Sequence, residues 1–338
     1  MKLIIDAMGG DNAPLEIVKG ALSGQKRWGV DVTLTGDTTA ILQALEACGE
    51  RRCPGAWRSS TPLRRWRCVT TPPRCSAGRG HLHGRGTDHA AGRQGRRHGR
   101  RQHRRSAAGA TLIVKRIRGI RRAAMAPVIP TTTGQAVLID CGANAECTPE
   151  YLVQFAYLGS YYAHRVLGVE RPRVGLLNIG TEDSKGTDLQ KETLRWLREA
   201  HTAGHLNFIG NIEAKEAIKG GCDVIVCDGF SGNVLLKTME GVGSFAGSAL
   251  KAMFKKNLLT KLAALCVMPG LNAFKAKLDP NKVGGTAFIG ISRPVIKAHG
   301  SSNAEAIENA MGQAVQVARS GIIRDIEENV ALMKVERE

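Results

Sequence analysis

The chain of 338 residues has no run of 18 apolar residues, no Cys-x-x-Cys pair among nine cysteines, and only 4% aromatic residues. The first absence excludes a helix long enough to cross a bilayer. The apolar start at 1–6 reads as a strand, which predicts no signal peptide. The second absence removes the usual metal and redox spacings. Cysteines at 48, 53, 68, 75, 141, 147, 222, 227 and 266 read as thiols of a reducing cytoplasm, and neither metal nor cofactor is expected. Few aromatics beside 40 glycines fit a loop-rich α/β enzyme better than an all-β module. No Ser-His-Asp or Cys-His set for nucleophilic catalysis is evident.

Lysine is missing from one place in particular. Residues 51–105 hold 16 arginines, no lysine and a single acid, Asp88, so they carry +15 of the chain's net +18 and leave +3 for the rest. Across 51–108 the Leu, Ile, Val and Met residues number three, Leu63, Val69 and Leu82. That composition predicts neither strand nor amphipathic helix. The flanks are well patterned, and so long a structureless insert inside a compact domain is unusual. An arginine-rich arm for RNA is one reading. Translation out of frame is another: with synonymous codons chosen freely, 81–107 can be written so that the frame one base along spells TSMAVALIMLRAGRADVMAVVSTGALL, and 62–79, two bases along, AEEVEVRDDPATVLRGKR.

The patterned remainder alternates strands with helices. A strand at 2–5 runs into DAMGGDNAP at 6–14, where Gly9 and Gly10 permit a tight turn and Asp11 or Asn12 could cap a helix at 15–27. A strand at 30–35 and a helix at 39–48 follow. Beyond the anomalous segment, 137–139 reads as a strand ending in the loop 140–144, and Thr148-Pro149 opens a helix running through Tyr162. The apolar start of VGLLNIGTEDSKG at 174–186 is a strand that breaks into a glycine and small-polar loop. The same plan recurs in CDGFSGN at 227–233. Gly180 and Gly186 allow close backbone approach, Thr181 and Ser184 offer hydroxyls, and Lys185 is a flexible cation, parts that suit phosphate. Thr187 and Gln190 read as a capping box. A strand at 205–209, a short helix capped by Asn211, a strand at 222–226, and a final helix at 304–319 opened by Ser302 and Glu305 complete the alternation. Such a chain predicts a parallel sheet covered by helices, with ligand loops at the strands' carboxyl ends.

Taken in order, DAMGGDNAP, DCGAN, LLNIGTEDSKG, DGFSGN and KAHGSS resemble the PlsX family, the phosphate:acyl-ACP acyltransferases of bacterial phospholipid synthesis. The likeness covers 1–50 and about 110–325, and the out-of-frame strings are similar to the family's missing middle. It implies a three-layer α/β/α fold with a mostly parallel sheet, like phosphotransacetylase and isocitrate dehydrogenase. The implied parts are a first piece at 1–50, an aberrant piece at 51–108, and the remainder at 109–338. The implied reaction moves an acyl group from the thioester of acyl carrier protein to inorganic phosphate. Lys185 would meet the phosphate or the developing oxyanion, and Asn233 the thioester carbonyl or phosphate. Asp6, Gly9, Gly10, Asp11, Asn144, Gly180, Thr181, Asp183, Asp228, Ser231, His299 and Ser301 would complete the substrate site. A short-chain phosphate acetyl- or butyryltransferase that uses coenzyme A is the alternative enzyme.

The stretch 251–282 holds seven lysines and one acid, Asp279. Leu258, Leu262 and Leu265 share a helical face, and Pro269-Gly270 is expected to divide two short amphipathic segments. These could be packing helices, or a hairpin resting its apolar tip in a membrane interface. The family likeness favours a cytoplasmic homodimer attached peripherally to the membrane, with no nucleic-acid partner.

Overall fold

The computed structural model describes residues 1–50, 66–69, 114–278, 282 and 284–334. The amino-terminal lobe is a β-α-β-α unit. Strand β1 (Lys2–Asp6) and strand β2 (Asp31–Thr35) pair in parallel, Lys2 opposite Asp31, with α1 (Leu15–Trp28) between them and α2 (Thr38–Ala47) after. Helix α1 ends at Gly29, whose φ of 63° is a left-handed cap. Asp37 caps α2 by accepting from the Ala40 N–H at 2.8 Å. Neither Asp11 nor Asn12 caps α1; the Asn12 amide is drawn away to the carbonyls of Ser301 and Ser302.

A third strand, β3 (Trp66–Val69), lies parallel to β2, Val32 opposite Trp66. Composition had predicted no strand there, but the ladder is built from main-chain groups that every residue except proline supplies in full. The other expectations for 51–108, the arginine arm and the reading frame, fall on residues outside those described.

The central sheet has the order β5 (Val128–Pro130), β6 (Gln135–Ile139), β9 (Val224–Val226), β7 (Val174–Asn178), β8 (Phe208–Glu213). All its pairs are parallel except β5 with β6. Val137, Leu138, Ile139 and Val224 to Val226 are fully buried, as strands covered on both faces must be. One face packs on α3 (Pro149–Arg165) through Phe155, Tyr157 and Tyr162; α4 (Asp188–Thr202) extends that layer. The other face carries Ile129, Leu138, Ile225, Cys222 and Cys227 against α5 (Ala214–Ile218) and α6 (Gly229–Phe254). The Thr187–Gln190 capping box is present. Strand β8 starts at Phe208, three residues later than expected. Asn211 lies inside it and not at a helix cap, because its buried amide donates to the Glu182 carbonyl at 3.1 Å.

Helix α7 (Leu258–Leu278) runs unbroken past Pro269, against the expected division. The reversal comes earlier, where Asn257 and Thr260 exchange side-chain bonds to each other's backbone N–H and start α7. The hairpin is therefore α6 against α7, longer than 251–282. A small antiparallel sheet, absent from the sequence reading, follows: β11 (Val295–Ala298), β10 (Gly285–Ile289), β4 (Ala124–Ala126). It leads into α8 (Ala304–Arg319), capped by Asn303 and not by Ser302, and then α9 (Ile322–Asn329).

Helix α8 joins the lobes by packing on α1 through small residues: a Cβ at Gly20 would lie 2.4 Å from the Ala304 carbonyl, and one at Gly312 2.4 Å from the Trp28 ring. Ser23 and Arg27 donate to the Glu308 carboxylate across that seam.

Candidate active site

Parallel strands place their carboxyl ends on one edge, so β6, β9 and β7 deliver the loops 140–144, 227–233 and 179–186 side by side. The first two are fused by backbone. Gly229 N–H donates to the Asn144 carbonyl at 2.8 Å, and a Cβ at Gly232 would lie 2.1 Å from the Asp140 carbonyl. Only glycine fits there.

Asp140 is fully buried and organises this junction. Its carboxylate accepts from the N–H groups of Met125, Cys141 and Asn144 at 2.8, 2.7 and 2.6 Å, and from the Asn144 side chain at 3.1 Å. Burial pushes its pKa up, and these donors pull it back. Asn144 spends its amide here and on the Ala123 carbonyl, so it builds the loop. Asp228 caps α6 by accepting from the N–H groups of Phe230 and Ser231, with the Ser231 hydroxyl on its other oxygen at 2.7 Å. Asn233 is left exposed at the first turn, and its side chain would be 3.7 Å from a Cβ at Gly142.

In the lysine loop Gly180 is buried against the Lys185 stem, and Gly186, with φ 87°, packs on Asn178, which donates to the Lys185 carbonyl at 3.2 Å. This fixes the backbone while the Lys185 and Thr181 side chains remain exposed. Asp183 turns outward to an ion pair with Arg198 of α4.

A second cluster comes from the amino-terminal lobe. Asp11 N–H donates to the Gly300 carbonyl at 2.7 Å, and a Cβ at Gly10, whose φ is 109°, would meet that oxygen at 3.0 Å. Asp6 accepts from the Met8 N–H at 3.0 Å, with Gly9 beside it. The His299 ring lies 2.9 Å from the Ser301 hydroxyl. The structure thus gathers Asp6, Gly9, Gly10, Asp11, His299 and Ser301 in one cluster, and Asn144, Asp228, Ser231 and Asn233 in another beside the Lys185 loop.

Lys297 of β11 was not singled out by sequence, where it is one lysine among many. It is half-buried two residues before His299. Burial lowers its pKa to about 8. Cys141 and Cys147 are pushed by burial up to about 12, so both are thiols at neutral pH and not nucleophiles.

The model of the family described as fatty acid synthesis protein matches residues 106–325. A phosphate acyltransferase of Alkaliphilus oremlandii is 40% identical over 345 residues, covering 98% of both chains. Another, of Anoxybacillus flavithermus, is 39% identical over 351 residues, covering 99% of this chain and all of that one. Among solved structures, a phosphotransacetylase of Streptococcus pyogenes superposes with TM-score 0.54 at 13% identity, over 96% of this chain and 94% of its own. The EutD phosphotransacetylase of Staphylococcus aureus gives 0.52 at 13%, over 94% of each. These two show the expected three-layer α/β fold. The sequence relatives, matched from end to end, show that the chain belongs to the PlsX family of phosphate acyltransferases.

Proposed function

We propose that this chain's site transfers an acyl group from the thioester of acyl carrier protein to inorganic phosphate, giving acyl phosphate and the free carrier thiol. The observation that supports this best is the meeting of the Lys185, Asn233 and DCGAN loops at one sheet edge. Phosphate is itself the nucleophile and a thiolate is a good leaving group. The protein therefore has to hold two reactants and offset charge. Lys185 meets phosphate or the oxyanion, Asn233 hydrogen-bonds the carbonyl or phosphate, and the N–H groups about Gly9, Gly10 and Gly180 complete the anion pocket. Turnover with acyl carrier protein thioesters, absent with acyl-coenzyme A, tests the reading; preference for short acyl-coenzyme A overturns it. Lys185→Ala should lower turnover by about 10²-fold, the loss that follows removal of one preorganised donor.

The same reading includes a homodimer at the cytoplasmic face of a membrane. In α6, Val242 and Phe245 are 60% and 75% exposed, an apolar face suited to a second copy. At the start of α7, Leu259 and Leu262 are exposed beside Lys255, Lys256 and Lys261, an arrangement suited to anionic lipid. No helix among the described residues is long and apolar enough to cross a membrane. Cosedimentation with anionic vesicles should weaken with salt and drop on Leu262→Glu; full pelleting of that variant overturns the membrane role. The segment 51–108 is read as out of frame and this copy as impaired, which the nucleotide sequence of codons 45–112 decides.

A further inference from the structure

Three large apolar side chains stay in water at the edge where the polar loops gather. Ile179 is 80% exposed, Phe230 68% and Val234 49%. Each belongs to an element already tied to the site. Ile179 opens the lysine loop: its N–H donates to the Asn178 side-chain oxygen at 2.8 Å, and the Asn178 amide donates in turn to the Lys185 carbonyl at 3.2 Å. Phe230 lies one helical turn before Asn233, and Val234 is its i+4 neighbour on α6.

The backbone under these groups is fixed. Gly229 N–H donates to the Asn144 carbonyl at 2.8 Å and Phe230 N–H to the Asp228 carboxylate at 2.9 Å, so the ring stands on a locked turn. Strands β7 and β9 are neighbours, Leu176 opposite Val226, about 4.8 Å apart. Ile179 and Phe230 follow those partners by three and four residues, so both leave the sheet at the same end. Leu177 packs on the core that α6 covers, and period-2 alternation carries that side on to Ile179. Apolar surface held rigidly in water opposes folding, and a patch of it beside ligand loops marks a binding surface. Lys185 and Asn233 are exposed at its border. A cation and an amide beside apolar side chains complement an amphiphile, polar at one end and apolar along its tail.

We infer that Ile179, Phe230 and Val234 bind the first part of a long acyl chain whose carbonyl lies at Lys185 and Asn233. The inference rests on the proposed reaction for its choice of an acyl thioester. A chain laid over these side chains exchanges water for apolar contact on both partners, and a butyryl group is too short to gain most of it. That remote contact helps position the reacting carbonyl. A second copy of this chain fits the patch less well. Val242 and Phe245, the α6 groups suited to it, lie two turns or more beyond Val234 and away from the loops.

Titration of the full chain with cis-parinaric acid, a fatty acid whose fluorescence rises in apolar surroundings, tests this without requiring turnover. The wild type should bind it, and palmitate should displace it while butyrate does not. Phe230→Ser should weaken binding about tenfold, and Ile179→Ser and Val234→Ser about threefold each, the scale of losing a few methylene-sized contacts. Phe230→Leu should recover most of the loss. All three positions are exposed, so thermal melting should not move. Should Phe230→Ser misfold, Ile179→Ser decides. No binding by the wild type, or equal affinity across the variants, overturns the inference. So does a Phe230→Ser chain that sediments as monomer where the wild type is a dimer yet keeps its parinarate affinity, because the ring would then serve a second copy. Parinarate binding that depends on Phe230 in a chain that transfers no acyl group would sink the proposed reaction and keep this assignment. Acyl transfer that Phe230→Ser slows equally for palmitoyl and butyryl thioesters would keep the reaction and sink the assignment.

Discussion

In the central sheet β6, β9 and β7 are buried on both faces, while in the amino-terminal sheet β1 alternates, with Ile4 70% exposed between the partly buried Leu3 and Ile5. The inner face of β1 and β2 packs on α1 and α2 through Val18, Val32, Leu34 and Ile41, and α8 closes that core with Met311 and Val315. Among the described residues, none packs over Ile4 on the outer face of β1. Parallel sheets normally bury both faces, so among the described residues the two sheets differ in cover. On its other edge the sheet continues into β3, which lies within the arginine-rich 51–108. The proposed site would draw on both lobes, with Gly10 and Asp11 from the amino-terminal one and Lys185 and Asn233 from the central one.

The comparison breaks most decisively if the segment is restored. A gene corrected to read 51–108 in frame should form acyl phosphate at least about 10²-fold faster than the present chain. On the out-of-frame reading the present chain lacks several elements, where a single substitution typically removes only ~1 kcal/mol. Matching rates for the two proteins would end both the impairment and the out-of-frame reading.

Within the central lobe, two glycines of one helix sharpen the contrast between a fitted and an open position. At Gly232 a Cβ would meet the Asp140 carbonyl at 2.1 Å and the Cys227 sulfur at 2.9 Å; at Gly241 it would meet nothing within 4 Å. Gly232→Ala should therefore destabilise by about 1–3 kcal/mol through overpacking. Gly241→Ala should stabilise by about 0.5–1 kcal/mol through helix propensity. Urea midpoints moving in opposite directions would confirm the difference, and a shared direction would refute it.

What sequence made legible follows the same division. The strand-and-loop grammar at 137–144, 174–186 and 222–233 is local: apolar runs end at glycines and caps, and both the elements and their common edge were readable. The pairing of β10 with β4 was not, because partners more than 160 residues apart leave no periodic trace. Lys297 escaped because its half-burial comes from tertiary packing of β11 on β10 and α8, which no local pattern announces. Asn211 and Asn12 misled because each reads as a helix cap locally, while a distant carbonyl claims its amide. The passage of α7 through Pro269 defied a rule about helix interiors at an exposed position.

The seam between α1 and α8 allows a smaller, pH-dependent test of how firmly the amino-terminal lobe is held. Hydrogen bonds from Arg27 and Ser23 lower the pKa of Glu308 below its ordinary 4.5. A carboxyl whose folded pKa is depressed adds stability above the unfolded value and loses it as pH falls through the folded value. The amino-terminal lobe should therefore loosen below about pH 4.5 before the central one. Glu308→Gln should remove about 1 kcal/mol at neutral pH and flatten that acid dependence. Hydrogen exchange in α1 against α3 reads this out, and equal acid sensitivity of the two helices would contradict it.

The smallest effect is the most diagnostic. Ile4 in the present chain is 70% exposed, so Ile4→Thr, which keeps a β-branched side chain, should change the unfolding free energy by less than about 0.5 kcal/mol. If the restored segment covers β1, the same substitution there removes a buried aliphatic group and strands a hydroxyl, and the cost should rise to about 1–3 kcal/mol. The two measurements form a cycle in which the substitution is fixed and only the cover changes. An additive result, with equal small effects in both backgrounds, would mean that the outer face of β1 is open by design and that the amino-terminal lobe needs no further layer. A large difference would locate the missing layer directly over Ile4.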